Sequence, residues 1–296
     1  MSTPGLSLVG FMADQQAAFR HLRTECVPPD ASDAALSAEW NAARTSLGPA
    51  IANAGNPNIQ QLAGADAQYA QALSQLPWVA AAFQQFQYQN VNFQLIEIDP
   101  ILAYQFTVSL ERSGHHCNHL NNPQVTDLLP ICLPQTQPMP EYLSSPLTQD
   151  SKSVIFKARN LNVRPLGPGV FNLTVNGYQI TVPGFPFHVA LPFAHVLRFN
   201  NRYYLHNGFH RALGIRRAGA THMPCILRDV QRAEDVGIRT DDTTFPLDLL
   251  ESANPPTVGH FTQGRSHAVE LRAHSRILHV SWAEYVMPDE YERMTP

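Results

Sequence analysis

The 296 residues are 44% hydrophobic and only 15% charged, which excludes a disordered chain and leaves enough apolar matter for one large or two smaller cores. The formal charge of −4, from 20 Lys and Arg against 24 Asp and Glu, argues against a generic charge-driven nucleic-acid binder. No apolar run approaches the roughly 20 residues of a membrane-spanning helix, and residues 1–5 lack the basic start of a secretory signal, so a cytoplasmic protein with no membrane partner is expected.

Residues 1–90 read as a helical layer. A first helix is expected over 15–22, before Pro28 and Pro29. Ser32 or Asp33 can cap a second, in which Leu36, Trp40, Ala43 and Leu47 recur at helical spacing. Asp66 is placed to cap a third, with Tyr69, Leu73 and Leu76 on one face, and 78–86 continues as a fourth. The character changes at Val91. Residues 91–98 alternate apolar and polar side chains, the pattern of a half-buried strand that ends at Asp99-Pro100. Residues 101–110 fit a strand or a short helix equally well.

Three His and one Cys fall within Ser113–His119 and have zinc-ligand chemistry, but their spacing is poor and no second ligand pair follows at a zinc-finger distance. The stretch is read as an exposed polar loop, with no metal. The four cysteines form no CxxC pair, and Cys225 reads as a core residue of an apolar strand. Residues 121–150, rich in Pro, Gln, Asn and Ser, read as loop. Residues 153–158 read as a strand. Residues 173–182 read as a hairpin about Asn176-Gly177, a pair suited to the type I′ turn. Residues 245–250 read as helical, and 268–272 and 276–282 as two final strands.

The most specific stretch is 199–230. Residues 202–205 have the bulk of a strand, and Asn207-Gly208 breaks it. A helix follows, with His210 and Arg211 at its start and Gly219 at its end, and 223–227 restarts as an apolar strand. A helix start offers free N–H groups and the positive end of the helix dipole, and Arg adds a fork of donors that suits phosphate. This strand–turn–helix–strand unit therefore reads as a phosphate-binding turn.

The unit resembles the ParB/sulfiredoxin-like superfamily. That likeness is carried by Tyr203-Tyr204-Leu205, by Asn207-Gly208-Phe209-His210-Arg211, by Arg217-Ala218-Gly219 and by Met223-Pro224-Cys225-Ile226-Leu227, with residues 95–100 and Gln105 similar to the family's opening strand. It covers about 30 residues closely. It implies an α+β fold in which a mixed sheet carries the phosphate turn at 91–235, with a hairpin insertion near 151–190. A helical region (1–90) precedes it and a C-terminal β extension (236–296), packed on the same core, follows.

The resemblance further implies nucleotide binding at Asn207, Gly208, Phe209, His210 and Arg211. The ligand would be a nucleoside triphosphate with Mg²⁺, and the activity phosphoryl transfer or nucleotide hydrolysis, with Glu97, His210 and Arg211 as catalytic candidates. Lys157, Arg159 and Arg164 are candidates to extend the anion site. Sulfiredoxin chemistry is not implied, because Phe209 stands where that enzyme has its cysteine. The segment that continues a ParB clamp after Val230 is missing, which removes the DNA-clamp role. The alternatives are a nucleotide-sensing or protein-interaction module without chemistry, and a nucleic-acid-binding or nuclease-like protein, which the net charge disfavours.

Overall fold

The phosphate turn expected from the sequence lies at one edge of a five-stranded mixed sheet. A computed structural model of the chain describes residues 2–26, 28–85, 88, 91–137, 143–144, 153–158, 163–165, 169–184, 187–189, 191–238, 244–262, 264–274 and 276–281. By contacts it divides into two units, residues 1–137 with 191–273, and residues 138–190 with 274–296. Among the described residues both units contain strands and the helices fall in the first, an α+β chain.

The first unit opens with strand β1 (Ser2–Ser7), then α1 (Gln15–Glu25), α2 (Asp33–Ser46), β2 (Ile59–Gln61), α3 (Gly64–Ser74), α4 (Pro77–Gln85), β3 (Asn92–Glu97), β4 (Thr107–Ser109), α5 (Leu110–Cys117) and α6 (Val125–Cys132). The second unit supplies β5 (Leu143–Ser144), β6 (Ser153–Ala158), β7 (Val163–Pro165), β8 (Gly169–Val175), β9 (Tyr178–Gly184) and β10 (Phe187–Val189). The chain then returns to the first unit with β11 (His195–Phe199), β12 (Arg202–Asn207), α7 (Phe209–Arg217), β13 (His222–Asp229), α8 (Ala233–Val236), α9 (Leu247–Leu250), α10 (Val258–Thr262) and β14 (His267–Arg272). Strand β15 (Arg276–Ser281) belongs again to the second unit, where it pairs with β6.

The helices start where their caps predict. Asp14 accepts hydrogen bonds from the N–H groups of Gln16 and Ala17 at the start of α1, and Ser32 accepts from Ala35 at the start of α2. Leu36, Trp40 and Ala43 then face the core at helical spacing, and the indole N–H of Trp40 donates to the Met12 carbonyl at 3.2 Å. The third helix differs in detail. Its cap is Ala63, and Asp66 lies inside the first turn.

Three expectations from the sequence are corrected and one left open is decided. The first 90 residues are not wholly helical: β1 pairs with β14 and β4, and β2 with β3. Alternation is blurred in β1 by Pro4 and Gly5, and partners far along the chain supply its order. Ser113–Cys117 is not a loop but lies in α5, whose start Ser109 caps by accepting from Arg112 N–H. Gly114 obscures that helix in sequence, and a Cβ at Gly214 of α7 would come 2.7 Å from Cys117 Sγ, so the missing side chain is what lets α5 and α7 meet. Within 121–150, residues Val125–Cys132 form α6, started by a reciprocal cap between Gln124 and Asp127. Residues 101–110, open to either state, hold a three-residue strand and the first residue of α5.

The five-stranded sheet runs β12-β11-β13-β3-β2, with β11 and β13 parallel and the other neighbours antiparallel. Pro224 is tolerated in its central strand for a local reason. Pairing of β11 to β13 begins at His195 opposite Ile226, so the N–H that Pro224 lacks falls where no partner strand has started. Ile96, Ile98, Leu102, Leu205, Leu213, Ile215, Met223 and Cys225 fill the core against this sheet. Among the described residues, no helix is long and apolar enough to cross a membrane.

Candidate anion site at the β12–α7 turn

Strand, turn, helix and strand occur where the sequence places them. Strand β12 ends at Asn207, Gly208 precedes the helix at φ +108°, and α7 runs from Phe209 to Arg217 before the chain turns at Gly219, φ +105°. Glycine is required at 208 twice over. Its backbone is left-handed, and a Cβ there would sit 3.3 Å from Ala194 Cα. No side chain caps the start of α7, and the Gly208 carbonyl takes the first helical hydrogen bond, from Ala212 N–H at 2.8 Å.

The expected residues divide by role. Asn207 Nδ2 donates to the carbonyls of Leu191 (3.1 Å) and Phe193 (3.0 Å), so its amide staples the incoming chain to the turn. Phe209 is buried, edge-on to Tyr104 with ring centroids 5.9 Å apart, and anchors the helix in the core. His210 is half-buried on the first turn. Arg211 folds back towards its own helix start. Its Nη1 donates to the carbonyls of Ile131, Cys132 and Pro192, while its Nη2 lies 3.5 Å from the position a Gly208 Cβ would take. One arm of the guanidinium is thus fixed by carbonyls and the other stands beside the uncapped helix start. Burial pulls the Arg211 pKa down, and the neighbouring Cys132 and Cys117 partly oppose it.

Glu97 is not part of this group. It pairs with His222 on β3, three strands from β12, and its Oε2 accepts from Asn58 N–H at 3.0 Å. Strand spacing and rise put it roughly 20 Å from Asn207. Lys157 is exposed on β6 in the second unit, Arg159 lies outside the described residues, and Arg164 is on β7. The thiols near Arg211 are buried, and burial pushes Cys117 up to about 11 and Cys132 up to about 12, so neither is a ready nucleophile. Among the described residues, no group of three or more His, Cys, Asp or Glu is placed to hold a metal ion.

A second set of residues, missed in the sequence, adjoins the turn through β11 and β12. His195 is opposite Asn207 in register and His206 directly precedes it. Their rings stand 5.2 Å apart at 77°. His206 Nδ1 is 2.9 Å from the Val236 carbonyl, so Nδ1 carries the hydrogen and Nε2 keeps a lone pair. His195 is only 6% exposed, and its Nε2 has no hydrogen-bond partner among the described residues. The Tyr88 ring lies 5.4 Å from His195, and the Arg228 guanidinium carbon sits 3.9 Å over that Tyr88 ring. Arg228 forms no ion pair or hydrogen bond among the described residues, because Asp235 is engaged by Arg232 through two nitrogens. Burial holds both histidines below the ordinary range, and the charge of Arg228 adds to it.

Arg211 stands beside the start of α7 and Arg228 over the Tyr88 ring, and Asp235, whose charge acts on Arg228, is itself engaged by Arg232. The available signal was a polar residue at the inner end of each apolar strand, His195 ahead of Val196-Leu197 and His206 after Tyr204-Leu205. No protein-family model, no curated protein and no solved structure matches the chain.

Proposed function

We propose that this protein binds a nucleotide through its phosphates at the β12–α7 turn. The observation that carries the reading is the split use of Arg211, anchored by carbonyls through Nη1 and presenting Nη2 beside Gly208 at an uncapped helix start. In this reading phosphate oxygens take the N–H groups of the first turn and Nη2 of Arg211, and Arg228 extends the positive field along β13. The resemblance of residues 202–229 to the ParB/sulfiredoxin-like turn supports the same assignment. A triphosphate would bring Mg²⁺ on its own oxygens. Among the described residues the turn offers no carboxylate set for the ion.

Phosphoryl transfer would need a base near the phosphates, and the carboxylate expected in that role, Glu97, is at the far side of the sheet. The placement favours a nucleotide-binding or sensing module over a phosphotransferase. Thermal unfolding with ATP, CTP and GTP, each with Mg²⁺, tests the binding. A ligand present at about 100 times its Kd adds about 2.7 kcal/mol of stability. A transition unmoved by every nucleotide contradicts the proposal, and product formation from a stabilising nucleotide would return the enzyme reading.

A further inference from the structure

Asn-Gly occurs twice in the chain, at 176–177 and at 207–208, and the two pairs meet different surroundings. The pair is chemically labile. The backbone nitrogen that follows an asparagine can attack the side-chain amide carbon, and glycine, without a side chain, shields that nitrogen least. Asn207 is protected by its packing. Its Nδ2 donates to the carbonyls of Leu191 at 3.1 Å and Phe193 at 3.0 Å, and Phe209 close by is buried. The space beside Gly208 is filled, since a Cβ there would sit 3.3 Å from Ala194 Cα and 3.5 Å from Arg211 Nη2.

Asn176 has none of these restraints. It forms the turn of the β8–β9 hairpin with Gly177, at φ +53° and +84°, and both residues are exposed. Its side chain makes no hydrogen bond among the described residues, and a Cβ on Gly177 would meet nothing within 4 Å. Among the described residues β8 and β9 pair only with each other. Ring closure requires the Asn176 backbone to leave its turn conformation. A two-stranded hairpin is marginal in water, so its tip opens at little cost, whereas freeing Asn207 needs the packed start of α7 to open. We propose that Asn176 is a site of spontaneous deamidation through a succinimide, and that folding spares Asn207 the same reaction.

The Gly177 nitrogen forms a bond to Cγ of Asn176 as the Cγ–Nδ2 bond breaks, and the amide leaves as ammonia with the proton that Gly177 gives up. Water then opens the ring. The net change is one water taken up for one ammonia released, with no oxidant or reductant. Opening at Cγ gives an aspartyl residue. Opening at the main-chain carbonyl leaves the chain running through Cγ, an isoaspartyl residue with one extra backbone atom. Either product is a carboxylate, charged at neutral pH, within residues 165–187, which contain no Asp, Glu, Lys or Arg. The extra atom does not fit a two-residue turn whose geometry sets the register, so it uncouples Val175 from Tyr178, the pair next to the turn. The hairpin thus acquires a charge and a register change with time, and no enzyme is needed.

The test is storage of the full chain at physiological temperature and slightly alkaline pH, followed by tryptic mapping with mass spectrometry. Arg198 and Arg202 lie between the two pairs, so each pair falls in its own peptide. The peptide with Asn176 should gain about 1 Da at least about tenfold faster than the peptide with Asn207, and should elute as two species of one mass, aspartyl and isoaspartyl. In urea above the unfolding transition the two peptides should convert at similar rates, which assigns the difference to folding. Asn176→Gln, whose longer side chain closes a less favoured ring, should remove the gain and so place it at 176 rather than at another asparagine of that peptide. Equal rates in the folded chain, a faster gain at Asn207, or an Asn176 peptide that stays unmodified each overturn the proposal. A single aspartyl product also overturns it, because direct hydrolysis of the amide gives no isoaspartyl form.

Discussion

The β12–α7 turn and the β8–β9 hairpin are both short devices announced by an Asn-Gly pair, and they differ in what they do with their apolar side chains. At the turn, Phe209 is buried against Tyr104, Asn207 and Arg211 hold backbone carbonyls, and Gly208 takes a conformation that few other residues tolerate. At the hairpin, the register is as regular, yet Phe171, Leu173, Val175, Tyr178 and Ile180 are exposed on one face and Val170 on the other. The first device is specified from all sides by packing. The second is specified by pattern alone, and its apolar face is exposed. The turn is rigid because its polar side chains are consumed by structure, with Nη2 of Arg211 left beside Gly208.

The largest effect that breaks the comparison is the removal of Arg211. Arg211→Ala leaves three carbonyls without their donor and should destabilise the protein by about 3 kcal/mol in urea unfolding. Leu173→Asp at the hairpin should change stability by no more than about 0.5 kcal/mol. Equal costs at the two positions would erase the distinction.

A pH series separates buried from exposed chemistry in the first unit. His260 is fully buried, its Nδ1 accepts from Thr257 N–H, and burial lowers its pKa to about 4. Above about pH 6.5 the ring is neutral in both folded and unfolded chains and contributes nothing to the pH slope. As the pH falls from 6.5 to 4, only the unfolded chain takes up the proton, so stability should drop by about 3 kcal/mol. His21, also lowered to about 4 by burial, acts in the same direction. His260→Gln should flatten the slope between pH 6.5 and 4.5, and an unchanged slope would deny the neutral buried ring. A smaller cost is expected of Gly208→Ala, about 1–2 kcal/mol from its positive φ, visible as a lower unfolding midpoint.

The parts of this fold that were legible in the sequence are those set by local chemistry. Ser32 caps α2, Leu36, Trp40 and Ala43 face inward together, Asn176-Gly177 turns a hairpin, and Gly208 and Gly219 bracket α7. What was not legible depends on partners distant in the chain. The order of β1 comes from β14, more than 260 residues later, and α5 is recognisable only once Gly214 of α7 is seen to make room for it. At the candidate site the turn itself was readable. That Phe209 is a core anchor, that one arm of Arg211 is spent on carbonyls, and that His195, His206, Tyr88 and Arg228 converge beside it follow only from the sheet order. Glu97 was linked to the turn by resemblance, and strand order separates them.

Isothermal titration of ATP, CTP and GTP, with Mg²⁺, into the full chain and into Arg211→Lys tests the central claim most directly. Lysine keeps a positive charge but cannot hold the carbonyls and present a second donor at Gly208 together. At least one nucleotide should bind the native protein, and the substitution should weaken it at least about tenfold, the equivalent of about 1.4 kcal/mol. Heat of binding absent with all three nucleotides, or an affinity that the substitution leaves unchanged, would contradict a phosphate site at Asn207–Arg211.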